Sequence, residues 1–266
     1  VEHACTKGGH VEIVEVMIEA ARKAGKILKS GYESNYDIKV KSSSSDLVTS
    51  VDIDSQNAII EVLKKVPDIS IMAEESQDKQ TDTKRIFYVD PLDGTLNFVH
   101  GIPFFGVSIG YWENETPIAG VVYDPLRNEL FYGIKGKGAY LNDKRLSARK
   151  KELKDSILST GIPYDRQKIF RTIEETKNIL PLVQEVRILG SAALSLCYLA
   201  AGRIDGYWED EIYPWDVAAG IAISTEIGLK ITNFDGKRYE LKDREIVCTL
   251  PKIHGEILKA LNFKFA

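Results

Sequence analysis

The sequence predicts an α/β protein whose first half is α+β. Three observations carry that reading: two apolar patterns of helical period at the start, a run of short β-branched segments after Pro67, and strands alternating with helical patterns from Ser156 onward. With 266 residues, 44% of them apolar, the chain can bury a large core, as one domain or as two tightly packed lobes. We divide it into an α+β lobe over 11–150 and an α/β lobe over 151–266.

The elements follow in order. Val14, Met17, Ile18, Ala21, Ala24 and Leu28 recur every three or four positions, which is helix spacing, and Gly31 supplies the stop. The polar run Ser42–Ser45 reads as a loop. Ile59, Ile60 and Leu63 mark a second helix from Asp52 to Val66, ended by Pro67. Strands are predicted over Ile69–Ala73, Arg85–Val89, Phe105–Trp112, Ile118–Tyr123 and Glu129–Gly133, mostly antiparallel, with turn signals at Asn114-Glu115, Asp124-Pro125 and Asn142-Asp143. The second half pairs strands Ser156–Thr160 and Arg203–Trp208 with helices Ile169–Leu180, Ser191–Ala201, Asp216–Ile227 and Lys252–Leu261. The polar opening Val1–His10 stands outside this pattern.

Composition narrows the function classes. The formal net charge is -4 and no run of five like charges occurs, so neither nucleic acid nor an anionic membrane is the expected partner; a small charged metabolite is. No apolar stretch approaches the roughly 20 residues of a membrane span. Cys5, Cys197 and Cys248 lack metal-ligand spacing and cannot all pair, which predicts a soluble protein of the reducing cytoplasm.

Chemistry is expected at three acidic clusters, each following an apolar segment: Glu74-Glu75, Asp90 with Asp93, and Asp216 after Trp215. Asp and Glu without His or Cys beside them favour magnesium over zinc. An isolated acidic pair is more often a solvated turn or a helix cap. Asp90 differs because it directly follows Ile86-Phe87-Tyr88-Val89, where a strand end would bury its charge at high cost without a counter-ion. Gly94 then permits close backbone approach, and Thr95 offers an N–H and a hydroxyl where a short helix could begin, so one turn can hold metal and phosphate side by side.

Two long motifs, Tyr88-Val89-Asp90-Pro91-Leu92-Asp93-Gly94-Thr95-Leu96-Asn97-Phe98 and Pro214-Trp215-Asp216-Val217-Ala218-Ala219-Gly220, resemble the inositol monophosphatase family of magnesium-dependent, lithium-sensitive phosphatases. Supporting matches are Asp46-Leu47-Val48-Thr49 with Asp52, Ala73-Glu74-Glu75-Ser76, and Arg187 through Ala193; together they cover roughly Ile13 to Leu261. The resemblance implies a layered αβαβα sandwich of the sugar-phosphatase type and a homodimer. It makes Glu74, Asp90 and the Leu92 carbonyl ligands of one Mg2+, and Asp90, Asp93 and Asp216 ligands of a second, with a third ion on Glu74 alone. It further implies that Thr95 and Glu74 orient the attacking water, that Asp46 positions the Thr95 hydroxyl, that the Gly94 and Thr95 amides hold phosphate, and that Asp93, Ala192 and Glu209 face the alcohol. Ala73 stands where the family often has Gly, and Leu96 stands at a frequently polar position; neither removes a ligand.

The expected reaction is magnesium-dependent hydrolysis of a small phosphorylated polyol or sugar, inositol 1-phosphate above all, by direct attack of a water that the metals acidify. Fructose 1,6-bisphosphatase, NADP phosphatase and 3'-phosphoadenosine 5'-phosphate phosphatase activities are the alternatives within the superfamily. A second phosphate would want an Arg or Lys cluster, which the acidic segment Glu209–Tyr213 does not offer. A different class of reading is a binding module in a transcription complex, against which the complete carboxylate set weighs. A two-metal nuclease is disfavoured by the negative charge. Cys197 and Trp215 are expected in the core, Arg187 in an ion pair at the surface or across a subunit boundary, His100 in a structural role and His10 and His254 at the periphery.

Overall fold

The computed structural model describes residues 9–262 except 33, 35, 42–45, 77–83 and 166. The predicted loop Ser42–Ser45 therefore lies outside the described residues, as does nearly all of Val1–His10. Helix α1 (Gly9–Gly31) buries Ile13, Val14, Met17, Ala20, Ala21, Ala24 and Leu28, the stripe that its periodicity foretold. An exposed hairpin, β1 (Ile38–Val40) and β2 (Leu47–Thr49), follows. It escaped sequence reading because three-residue strands carry almost no periodic signal. Helix α2 (Ser50–Leu63) starts at a capping box: the Thr49 hydroxyl accepts from the Val51 and Asp52 amides, and Asp52 Oδ2 accepts from the Thr49 amide at 2.9 Å.

Strands β3 (Ser70–Ala73), β4 (Arg85–Asp93), β5 (Gly106–Glu113), β6 (Thr116–Asp124), β7 (Glu129–Ile134), β8 (Gly138–Leu141) and β9 (Lys144–Arg145) form one sheet in chain order, with the short helix α3 (Thr95–Val99) between β4 and β5. All its pairs are antiparallel except β3 with β4. The later elements are β10 (Ile157–Thr160), α4 (Ile169–Ile179), β11 (Glu185–Ile188), α5 (Ala192–Ala200), β12 (Gly206–Asp210), α6 (Pro214–Glu226), β13 (Lys230–Thr232), β14 (Glu245–Thr249) and α7 (His254–Leu261). Their strands make a second sheet in the order β11-β10-β12-β14-β13, in which β10 runs parallel to both neighbours. Two strand limits are corrected: β4 continues past Val89 to Asp93, and β12 runs to Asp210, so Glu209 lies within a strand.

Helices α1 and α2 cover one face of the seven-stranded sheet, while α5 and α6 fill the space between its other face and the five-stranded sheet, and α4 and α7 close the outside. This is the layered αβαβα sandwich. Among the described residues no helix is long and apolar enough to cross a membrane. His254 is not peripheral. It is buried at the start of α7 between the Thr249 and Thr232 hydroxyls, at 2.8 and 2.9 Å, and burial lowers its pKa to about 4.

The seating of α6 is set by glycine. Gly110, Gly120 and Gly133 stand in register across β5, β6 and β7. A Cβ on Gly120 would lie 2.2 Å from the Ala219 carbonyl oxygen, and one on Gly133 would lie 2.9 Å from the Ile223 Cα. The α6 backbone thus rests directly on the sheet, and the Trp112 indole and Ser108 hydroxyl donate to the Ala218 and Trp215 carbonyls at 3.1 and 3.3 Å. Gly120→Val should lower unfolding free energy by about 1–3 kcal/mol through overpacking. Urea denaturation checks this, and an unchanged midpoint would contradict the seating.

Candidate active site

Asp90 pairs with Ser108 while Asp93 pairs with Gly106, so β4 spends three steps where β5 spends two. The extra residue is a β-bulge. In a regular strand residues three apart face opposite sides, and one added residue brings Asp90 and Asp93 onto the same side. Pro91 suits this break because it has no N–H to lose, and its carbonyl accepts from the buried Ser55 hydroxyl at 2.7 Å. Asp90 Oδ1 accepts from the Leu92 amide at 3.0 Å across the bulge.

Other elements bring further carboxylates to the same place. Glu74 follows β3, its amide bonded to the Val89 carbonyl at 3.0 Å, which places it beside Asp90. Asp216 is the third residue of α6, its Oδ2 accepting from the Tyr213 amide at 2.8 Å. Ser108, the partner of Asp90 on β5, bonds the carbonyl of Trp215 immediately before it. Asp93 lies at the start of α5, where it accepts from the Ser191 hydroxyl and from the Ala192 and Ala193 amides at 3.2 and 2.9 Å. With Glu209 of β12 these groups line one cavity of about 540 Å³.

The carboxylates raise one another's pKa. Burial, then Glu74, Asp93 and Asp216, push Asp90 well above the usual carboxylate range. Burial and Glu74 do the same to Asp216. Burial raises Asp93 to about 6 in spite of its three donors, and raises Glu209 to about 8 with help from Asp93 and Asp210. Lys41 answers them from the rim, its Nζ 2.7 Å from Glu74 Oε1 and also bonded to Glu75. A buried, all-oxygen, uncompensated cluster is the donor set of a hard divalent ion. Among the described residues no three such side chains close a cage by themselves. Magnesium keeps waters and phosphate oxygens in its shell, so the residues present fit it.

Sequence reading gave Asp52 no role at Thr95. The Thr95 hydroxyl donates to Asp52 Oδ1 at 3.2 Å and to the Leu92 carbonyl at 3.0 Å, so Asp52 is a carboxylate that positions it. Asp52 is the third residue of α2 and is wholly buried, its second oxygen fixed by the N-cap Thr49, while Asp46 precedes β2 and also lines the cavity. Burial raises Asp52 to about 6. Gly94 adopts φ +93°, and a Cβ there would meet the Phe104 and Gly190 carbonyl oxygens at 3.0 and 3.2 Å, so its close approach is to the protein's own backbone. Ala192 lines the cavity with its amide engaged by Asp93.

Cys197 is buried, and Trp215 is buried with its ring stacked on Tyr213. Arg187 is exposed and paired with Glu185 at 3.3 Å, and His100 is an exposed residue ending α3. Sequence reading missed Lys41, Tyr164 and Arg244, which line the cavity from segments carrying no motif, and the anchoring role of Ser191. The segment Glu209–Tyr213 holds no Arg or Lys, but Arg244 reaches it from outside: its guanidinium lies 3.7 Å from the Tyr213 ring centroid, and its Nη2 reaches Glu211 Oε2 at 3.2 Å.

Comparison with known proteins gives the family. The chain matches the inositol monophosphatase family over residues 10–265. It is 41% identical over 256 residues to the Nus factor SuhB of Pasteurella multocida, covering 94% of this chain and 95% of that one. It is 40% identical over 252 residues to an inositol-1-monophosphatase of Synechocystis sp., covering 93% and 88% respectively. The crystal structure of the extragenic suppressor protein suhB from Bartonella henselae superposes with a TM-score of 0.90 at 36% identity, covering 96% of this chain and all of the other. The chain therefore belongs to the inositol monophosphatase family of phosphoric monoester hydrolases.

Proposed function

We propose that this protein hydrolyses phosphate monoesters of small polyols or sugars with magnesium, inositol 1-phosphate first among them. The observation that carries the reading is the convergence of Glu74 from the end of β3, Asp90 and Asp93 from β4, and Asp216 from α6 on one cavity beside Thr95. Glu74, Asp90, Asp93, Asp216 and the Leu92 carbonyl would hold two or three Mg2+ ions. Bound magnesium supplies positive charge against the phosphoryl oxygens and makes water more acidic.

The chain's own groups do the rest. Asp52 and the Leu92 carbonyl accept the hydrogen bond of the Thr95 hydroxyl, which leaves the lone pairs of the Thr95 oxygen to accept from the attacking water. Glu74 accepts that water's second hydrogen bond. The Gly94 and Thr95 amides hold phosphate, and Asp93, Ala192 and Glu209 face the alcohol. The buried, unpaired thiols of Cys197 and Cys248 support a cytoplasmic setting. A homodimer belongs to the same reading, with exposed Phe170, Ile173, Leu180, Leu182 and Ile188 offering apolar surface for it.

Arg244 favours a second substrate reading. Its Nε is buried without a hydrogen-bond partner, a donor that a second phosphate, as in fructose 1,6-bisphosphate, could engage. The name of the Pasteurella relative supports an additional role beside a transcription partner.

A phosphate-release panel over inositol 1-phosphate, fructose 1,6-bisphosphate, NADP and 3'-phosphoadenosine 5'-phosphate separates the substrates, and silence on all four with Mg2+ would sink the enzymatic reading. Asp90→Asn should lower turnover by roughly 10³-fold or more while the far-ultraviolet dichroism stays native. Asp52→Asn should cost about 10²-fold in kcat, and a larger loss from Asp46→Asn would restore the role given first to Asp46.

Metal binding should also appear in stability. Carboxylates with raised folded pKa values stabilise the fold fully below their unfolded values near 4, and lose that contribution as pH climbs through the folded values, about 6 for Asp93 and about 8 for Glu209. His254 acts in the opposite sense, but only between its folded value of about 4 and its unfolded value near 6.5. From pH 6.5 to 8, then, the melting temperature in EDTA should fall and the increment from added Mg2+ should grow. An increment independent of pH would contradict the assignment.

A further inference from the structure

The acidic run Glu209-Asp210-Glu211 closes β12, and the phosphatase reading uses only its first member. Asp210 is answered by Arg171 of α4 at 3.1 Å. Glu211, the residue after the strand, is answered twice. Lys168, the N-cap of α4, bonds its Oε1 through Nζ, and Arg244, the residue before β14, donates from Nη2 to its Oε2 at 3.2 Å and to its carbonyl oxygen at 3.3 Å. One carboxylate thus occupies the place between two cations that arrive from two other elements.

Glu211 and Arg244 both line the active-site cavity. The guanidinium is fixed there independently of the carboxylate: it lies 3.7 Å from the Tyr213 ring centroid, and that ring stacks on Trp215, the neighbour of Asp216. Among the described residues its Nε and Nη1 have no acceptor. Glu211 itself has φ +64°, the left-handed region that a glutamate enters only against steric resistance. Its ion pairs are partly exposed, and pairs of that kind contribute little to stability. The strained turn is therefore accounted for by where it places the carboxylate at the cavity rim rather than by what it adds to the fold.

Two cations around one anion are the recognition chemistry of a phosphate. Here the protein's own carboxylate holds that position. A substrate carrying a second phosphate must displace it, against both ion pairs and the repulsion of like charges.

We propose that Glu211 is a specificity-determining residue whose carboxylate fills a second-phosphate subsite formed by Arg244 and Lys168, so that the enzyme selects monophosphate esters over bisphosphates. The inference rests on the phosphatase reading and names what restrains the bisphosphate activity that Arg244 favours.

Fructose 1-phosphate and fructose 1,6-bisphosphate differ only in the second phosphate, so the ratio of their kcat/KM values with Mg2+, bisphosphate over monophosphate, reads the effect of that group. In Glu211→Gln the charge is lost while the amide oxygen still accepts from Arg244 and the guanidinium stays on Tyr213. The ratio should rise about five- to twentyfold over wild type, mostly through KM for the bisphosphate. Adding Arg244→Gln to that variant should take the gain away. An unchanged ratio in Glu211→Gln, or a gain that survives the loss of Arg244, would overturn the assignment. Glu211→Asn, a residue type common at positive φ, supplies the same ratio if melting curves show the Gln variant to be poorly folded. Wild-type protein inert toward inositol 1-phosphate and both fructose esters would overturn the phosphatase reading. An enzyme active on inositol 1-phosphate whose variants gain nothing on the bisphosphate would overturn the role of Glu211 alone.

Discussion

Four carboxylates drawn to one cavity repel one another, and much of the molecule is organised to hold them there. Burial near Asp90 removes the solvent that would screen the charges, so the repulsion is strong and each group's affinity for protons rises. The fold does not relieve this with arginines inside the cluster. It fixes each carboxylate from behind with backbone and hydroxyl donors: Leu92 for Asp90, Tyr213 for Asp216, and Ser191, Ala192 and Ala193 for Asp93. These donors orient the oxygens without neutralising the charge, which is what a site that must bind cations requires.

The supporting architecture follows from that need. A bulge in β4 turns two aspartates three residues apart to the same side, and a row of glycines on β5, β6 and β7 brings α6 onto the sheet so that its first turn arrives beside them. Several groups serve two ends at once. Asp52 caps α2 and holds Thr95, while Asn97 of α3 ties the site to the second half of the chain through the Phe104 and Leu189 carbonyls, both at 2.8 Å. Local helix-forming interactions and the geometry of the site are here the same hydrogen bonds.

The legible parts of the fold were those with strong periodic or charge signals. The apolar stripe of α1, the strands β3 to β7 and the helices of the second half were each apparent in the order of residue types. Strands β1, β2, β8, β9, β11, β13 and β14 were not, because segments of two to five residues become strands through their neighbours rather than through their own pattern. Of the residues placed at the site, the carboxylates in the two long motifs came together in space. The bond between Asp52 and Thr95 was not foreseen, since the two residues stand 43 positions apart in the chain. His254 was taken for a peripheral residue because nothing near it in the chain announces the two threonines that enclose it.

Residue type and short-range spacing by themselves determined the α/β class and an acidic, oxygen-rich turn at Asp90 through Thr95, while the layered sandwich and the phosphatase chemistry were implied by the resemblance of two long motifs to a family. Only the tertiary structure decided that Asp52 reaches Thr95, that Asp90 and Asp93 share a side, and that Arg244 lines the cavity. Those facts depend on a bulge and on segments 33 to 43 residues apart in the chain, and such contacts leave no trace in local pattern.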